Sequence, residues 1–373
     1  MKTQKTFFFA LSTIAILQSP SFLYPMRKDN SIKKSRFLLK TIKTSTKKIH
    51  TLDVGNKDTF VCTIANKATL LDLQDPQIKE KNQFTLDGEK TSITRFSPKG
   101  DKLAVKNGKN IKIITLSDGK TYAENQTVIT ELEDVNSFAW HPDNKHFAIT
   151  KIFMLKLFEY AIENNIPKEV KTHYLEGYSN ASSISFSPNG NYISYIGRKY
   201  FKGHEIGFVN LKTGKTLKEK LPISDDEKKI TFIPQKNCLI IATNQGEKEA
   251  SLDILSIKND TVETIKKIPL TGHVECINCF TSGKSAVIAT GEKINIVNLA
   301  TGKIKHTLEG HTKKITNLKC TKNGKYIIST GKDYTIRIWK NPPDSSEVKK
   351  ERLDFLREKK DILKVATLWK NAA

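Results

Sequence analysis

A chain of 373 residues with 38% apolar and 27% charged residues has the make-up of a globular protein, which excludes collagen-like, low-complexity and charge-extended disordered chains. The net charge of +23 is unusual, and lysine carries it, since only seven of the 62 basic residues are arginine. Nucleic-acid readers lean on arginine for bidentate contacts, so this balance reads as a solvated surface, with nonspecific attraction for anions as the alternative and no specific nucleic-acid partner expected.

The first segment, Met1-Lys-Thr-Gln-Lys5, is basic, and an eleven-residue apolar stretch follows from Phe7 to Leu17. Small residues then stand at Ser19 and Ser21. That is the build of a secretory signal over residues 1–21, too short for a membrane span. It predicts an exported chain, periplasmic or secreted, with an uncleaved anchor or a cytoplasmic tail as the alternative. Residues 22–34 read as a basic linker, and nine Lys or Arg against one Asp over residues 26–50 make the strongest local charge. Arg36-Phe-Leu-Leu-Lys-Thr-Ile42 reads as a strand.

One short phrase then recurs seven times. Phe96-Ser-Pro-Lys-Gly100, Trp140-His-Pro-Asp-Asn144, Phe186-Ser-Pro-Asn-Gly190 and Phe232-Ile-Pro-Gln-Lys236 share an aromatic with a proline two residues on. Cys279-Phe-Thr-Ser-Gly283 and Cys320-Thr-Lys-Asn-Gly324 keep the frame without proline, and Val54-Gly-Asn-Lys-Asp58 is the weakest copy. The anchors lie 42, 44, 46, 46, 47 and 41 residues apart. That period signals one supersecondary unit stacked on itself, most simply the blade of a propeller. Each anchor precedes a turn and two short β-branched runs, such as Tyr192–Ile196 with Ile206–Leu211 and Tyr326–Ser329 with Thr335–Trp339. The Gly-Lys pairs after the second runs (Gly214-Lys215, Gly302-Lys303) lack the P-loop spacing and read as turns. A ring of such units must close, because a gap leaves strand edges exposed. The last repeat stops at its third strand, so the strand at 36–42 is expected to complete it.

About ten residues ahead of most anchors stands a small phrase: Leu86-Asp-Gly, Leu175-Glu-Gly, Leu270-Thr-Gly-His273, Leu308-Glu-Gly-His311. With Ser329, Asp333 and Trp339-Lys340 at their spacing, the last repeat resembles the WD-repeat (WD40-like) family. The sixth repeat keeps Gly272-His273 but has Val297 in the Trp position. The resemblance covers roughly residues 35–341 and implies an all-β fold, a seven-bladed β-propeller of four-stranded antiparallel blades around a channel. It also implies that His311, Ser329, Asp333 and Trp339 form a buried structural tetrad. The repeat at 186–211 also looks like the blades of periplasmic Tol-type translocation propellers.

Side chains with catalytic potential are few. Ser329, His311 and Asp333 have the types of a hydrolase triad, but the nucleophile elbow G-x-S-x-G is absent. His141 and His146 flank a turn and make a weak metal candidate; no catalytic, cofactor or metal site is expected. Cys279 and Cys320 occupy anchor slots and read as small buried hydrophobes. Cys276-Ile-Asn-Cys279 resembles a redox or zinc pair, yet residues three apart on a strand face opposite sides. After Pro342-Pro343, Asp344-Ser-Ser-Glu347 is a capping box. Val348, Phe355, Ile362 and Trp369 then recur every seventh residue, predicting an amphipathic α-helix over 344–371. That helix either lies back on the propeller or docks a partner, with Phe355, Ile362 and Trp369 as the partner-helix candidates. The reading as a whole is a non-enzymatic platform for binding other proteins. The alternatives are a propeller enzyme with its site at the channel mouth, or a cytoplasmic scaffold with nonspecific affinity for nucleic acid.

Overall fold

The computed structural model describes residues 36–343 apart from 45–47, 57, 65–66, 74–79, 86–90, 109, 117–130, 161–166, 176–177, 200–202, 224–228 and 247. The signal segment, the linker and the helix expected at 344–371, with Phe355, Ile362 and Trp369, lie outside the described residues.

Strand β1 (Leu38–Lys43) comes first and belongs to the last blade. Blade 1 follows as β2 (Ile49–Val54), β3 (Thr59–Ile64), β4 (Lys67–Asp72) and β5 (Glu80–Thr85). Blade 2 is β6 (Thr91–Phe96), β7 (Lys102–Asn107), β8 (Asn110–Thr115) and the short β9 (Glu131–Leu132). Blade 3 holds β10 (Ser137–Trp140), β11 (His146–Lys151), β12 (Met154–Tyr160) and β13 (Pro167–Tyr174). Blade 4 is built of β14 (Tyr178–Phe186), β15 (Tyr192–Lys199), β16 (Gly203–Asn210) and β17 (Thr216–Ile223). In blade 5 these places are taken by β18 (Lys229–Phe232), β19 (Cys238–Asn244), β20 (Glu249–Lys258) and β21 (Thr261–Thr271). Blade 6 has β22 (Val274–Cys279), β23 (Ser285–Thr290), β24 (Lys293–Asn298) and β25 (Ile304–Leu308). Blade 7 has three consecutive strands, β26 (Ile315–Cys320), β27 (Tyr326–Gly331) and β28 (Thr335–Lys340). Its fourth is β1, paired antiparallel with β28 from Leu38↔Trp339 to Lys43↔Thr335. Lys340 N–H donates to Phe37 O at 2.8 Å, extending the seam by one bond.

Burial follows strand position. The second strands read as almost unbroken apolar runs, Thr59–Ile64 and Ser285–Thr290 among them, because a neighbouring blade covers each of their faces. The fourth strands meet water, and β21 accordingly exposes Glu263, Thr264, Ile265 and Lys267 while burying Ile268 and Leu270. The first strands touch one another around the ring and line the channel.

The apolar core divides into seven clusters, one for each seam between consecutive blades. The recurrent anchor is the plug of each seam. Phe96 packs against blade 1, Trp140 against blade 2, Phe186 against blade 3 and Phe232 against blade 4. Cys279 and Cys320 fill the same place against blades 5 and 6, and Val54 against blade 7. Burying one such aromatic is worth about 1.5–3 kcal/mol, which is reason enough for the phrase to recur. Cys276 joins the cluster with blade 7 and Cys279 the one with blade 5, so the two sulfurs face opposite sides of their sheet. All five cysteines are free thiols, and burial pushes the Cys279 thiol up to about 12.

The residue closing the phrase has a backbone task. Gly100, Asn144, Gly190 and Gly324 all sit at positive φ, between 66° and 75°. The turn there returns an amide to the residue after the anchor, as in Gly100 N–H to Ser97 O at 2.9 Å.

Candidate functional site

Two groups of side chains have the chemistry to act, and they differ in access. The first is the sequence-predicted tetrad of blade 7. Asp333 and Thr335 flank Tyr334 in the β27–β28 turn, Ser329 stands on β27, Trp339 on β28, and His311 on the approach to β26. The structure brings all four together. Trp339 Nε1–H donates to Ser329 Oγ at 2.8 Å, and Ser329 Oγ lies 2.7 Å from His311 Nε2. His311 Nδ1 lies 2.9 Å from Asp333 Oδ2. Each link fixes the next: the carboxylate accepts, so Nδ1 carries the proton and Nε2 accepts from the serine hydroxyl. Burial alone would raise the Asp333 pKa; hydrogen bonds from His311, Thr335 and the Thr312 amide hold it well below the usual carboxylate range.

The Ser–His–Asp order and spacing are those of a hydrolase triad. Ser329 and Trp339 are, however, 0% exposed, and the Trp339 N–H occupies the oxygen that would attack. The arrangement ties the loop before β26 to β27 and β28. In blade 6 the same register places Ile288 and Val297 in the Ser and Trp positions, both fully buried, so packing replaces the polar chain there. His273 instead faces Asn244 of blade 5 at 3.0 Å.

The second group lines one mouth of the channel, a cavity of about 700 Å³. Its walls come from six blades, because each first strand begins at this end. Lys48 and His50 come from blade 1, Arg95 and Lys106 from blade 2, Asn136 from blade 3, and Thr316, Asn317 and Lys332 from blade 7. Glu275 is the one carboxylate among the described lining residues, and it pairs with Lys314 Nζ at 3.2 Å. Burial lowers the Lys106 pKa, and its Nζ lies 3.4 Å from Asn136 O. Asn136 Nδ2 is buried without a hydrogen-bond partner among the described residues. A buried donor left unpaired is costly, on the order of 1–3 kcal/mol, and this one stands where an acceptor on an incoming ligand would meet it.

Sequence reasoning did not single out the mouth residues. His50, Asn136, Glu275 and Thr316 each stand four places before their anchors at 54, 140, 279 and 320, and counting back from the anchors would have found them.

The opposite end of the channel is ringed by the anchor turns. Lys322 of blade 7 reaches past blade 1 to donate to Pro98 O of blade 2 at 2.5 Å. Among the described residues one group, His141, Asp143 and His146 of the blade 3 turn, gathers three metal-ligating side chains within 4.8 Å of one another.

The family model described as WD domain, G-beta repeat, matches residues 302–340, which run from β25 of blade 6 through the three consecutive strands of blade 7 and include the tetrad. Pre-mRNA-processing factor 19 homolog 2 of Arabidopsis thaliana is 36% identical over 63 residues. That stretch is 16% of this chain and 12% of the relative, so the likeness is confined to a small part of each.

Proposed function

We propose that this WD-repeat propeller is a non-enzymatic platform for other proteins, and that its binding face is the basic channel mouth. The observation that carries the reading is the ring of Lys48, His50, Arg95, Lys106 and Lys332 around a cavity with a single carboxylate among its described lining residues. A mouth of that charge favours an acidic segment of a partner, drawn in by long-range attraction and held by paired hydrogen bonds. Arg95 is half-buried and its guanidinium is steadied by a bond to Thr94 O at 2.9 Å, which suits bidentate contact with a carboxylate.

Affinity purification from the native cell, with the full chain and with an Arg95→Glu/Lys332→Glu chain, tests this. Proteins captured by the first and lost from the second are expected, and their capture should weaken as salt rises. An identical set from both chains overturns the mouth as the binding face.

Export belongs to the same proposal. The basic, apolar and small-residue segments of residues 1–21 support it. Sequencing the N-terminus of protein from the native cell should give a chain starting at Phe22; an intact Met1 in all of it overturns export by cleavage.

A further inference from the structure

The turn between β10 and β11 is held more firmly than a surface hairpin requires. Asn144, in the left-handed conformation at φ 66°, accepts from Lys99 N–H at 2.9 Å and donates to Asp101 at 3.2 Å, both in blade 2. On the other side His141 Nε2 lies 3.1 Å from Gly190 O of blade 4. The His141 ring stands edge-on to Phe186, with centroids 4.9 Å apart. It rests so closely on Gly190 that a Cβ there would fall 2.2 Å from Nε2. Neighbours on both flanks thus fix where the turn's side chains point.

What they point at is each other. A carbonyl oxygen only accepts, so His141 Nε2 carries a proton and, in the neutral ring, Nδ1 carries a lone pair. That nitrogen lies 3.0 Å from Asp143 Oδ1. His146 Nδ1 lies 2.6 Å from Asp143 Oδ2. The carboxylate is itself oriented by the amides of Lys145 and His146, at 2.8 and 3.0 Å. Ring nitrogens and carboxylate oxygens this close require a positive centre between them, either protons or a metal ion.

We propose that His141, Asp143 and His146 form a site for a divalent transition metal of the zinc class. Two imidazoles and a carboxylate are a donor set that suits such ions and discriminates against magnesium and calcium, which prefer all-oxygen ligands. The Nε2–H to Gly190 O bond is the outer contact that metal-ligating histidines make, fixing the tautomer with the Nδ1 lone pair turned towards Asp143, whose amide meets it at 3.3 Å and which an ion would displace. The three side chains are partly exposed, at 20%, 33% and 28%, so an ion has access and a fourth position stays open to water or to a partner's side chain. Binding displaces any proton on the two ligating nitrogens and makes affinity fall as pH drops.

Untagged full-length protein, stripped with chelator and titrated with zinc chloride by calorimetry, tests the site. One equivalent of zinc should bind and raise the melting temperature, and magnesium at the same concentration should do neither. His146→Ala should weaken zinc binding at least tenfold and abolish the shift. His146→Gln, which keeps a hydrogen-bonding group beside Asp143, should do the same while its metal-free melting temperature stays at the wild-type value. With cobalt as the probe, the spectrum should lack a thiolate charge-transfer band, since the five cysteines are not ligands. Zinc binding unchanged in both variants, a thiolate band, or no binding by the wild type overturns the proposal.

Discussion

Trp339 shows how one residue serves two ends. Its ring fills the seam between blades 6 and 7, and its N–H fixes the Ser329–His311–Asp333 chain. Trp339→Ala should cost about 3–5 kcal/mol, the range for a core aromatic. Trp339→Phe keeps most of the ring and strands the serine oxygen, at a cost of about 1–3 kcal/mol. Urea denaturation separates the two, and an alanine cost under about 1 kcal/mol would contradict the structural role. Asp333 makes the same network sensitive to acid. Its folded pKa lies below the unfolded value of about 3.9, so its contribution is fully present above that pH and is lost progressively as pH falls from there towards the lower folded value. The unfolding free energy should therefore drop on going from about pH 5 towards pH 3. Asp333→Asn should shallow that limb without removing it, because Asp101 and Asp143 are also held low. An unchanged limb in the variant would show that Asp333 does not titrate as described.

At the scale of the element, what the sequence disclosed depended on whether a residue plugs a seam. The anchors were legible because every blade needs the same plug at the same place, even where Cys279 or Cys320 supplies it. β1 was legible by arithmetic, since a ring with three strands in its last blade needs a fourth. The mouth was not, because Lys48, Arg95, Lys106 and Lys332 meet only after six blades are arranged around an axis, and a linear spacing records nothing of that. The histidine turn was half legible: His141 and His146 are five residues apart, but the Gly190 contact that orients the ring comes from the next blade. Gly207 gives a further case. It faces Tyr195 directly across β15 and β16, and a Cβ there would lie 2.2 Å from the ring. Gly207→Ala should therefore lower the melting temperature by several degrees, as overpacking of about 1–3 kcal/mol does. A melt unchanged to within a degree would mean the tyrosine has room to move.

For the whole molecule, seven seams make one ring, and the seam that matters most is the one the chain cannot make until its end. Removing residues 22–43 should leave β28 with an unpaired edge and produce aggregates by size-exclusion chromatography. A monomeric deletion with the same melting curve would contradict closure by β1. The charge belongs to this scale too. Attraction to DNA or RNA should be weak, indifferent to sequence and lost between low and physiological salt in filter binding. A submicromolar, sequence-selective complex would favour a nucleic-acid scaffold over a protein platform.

Closure by β1 also imposes a schedule. Thr44, at the end of that strand, bonds to Tyr334 O, a partner 290 residues further along. At roughly 5–20 residues per second, a ribosome reaches that partner about 15–60 s after it has made the strand. For that time β1 is finished and has nothing to pair with, whatever blades have already collapsed behind it. A messenger cut short, or a ribosome stalled before blade 7, leaves a protein with two open edges and no way to bury either. The ring thus reports its own completion: a chain that resists proteases and stays monomeric is one that was translated past residue 340.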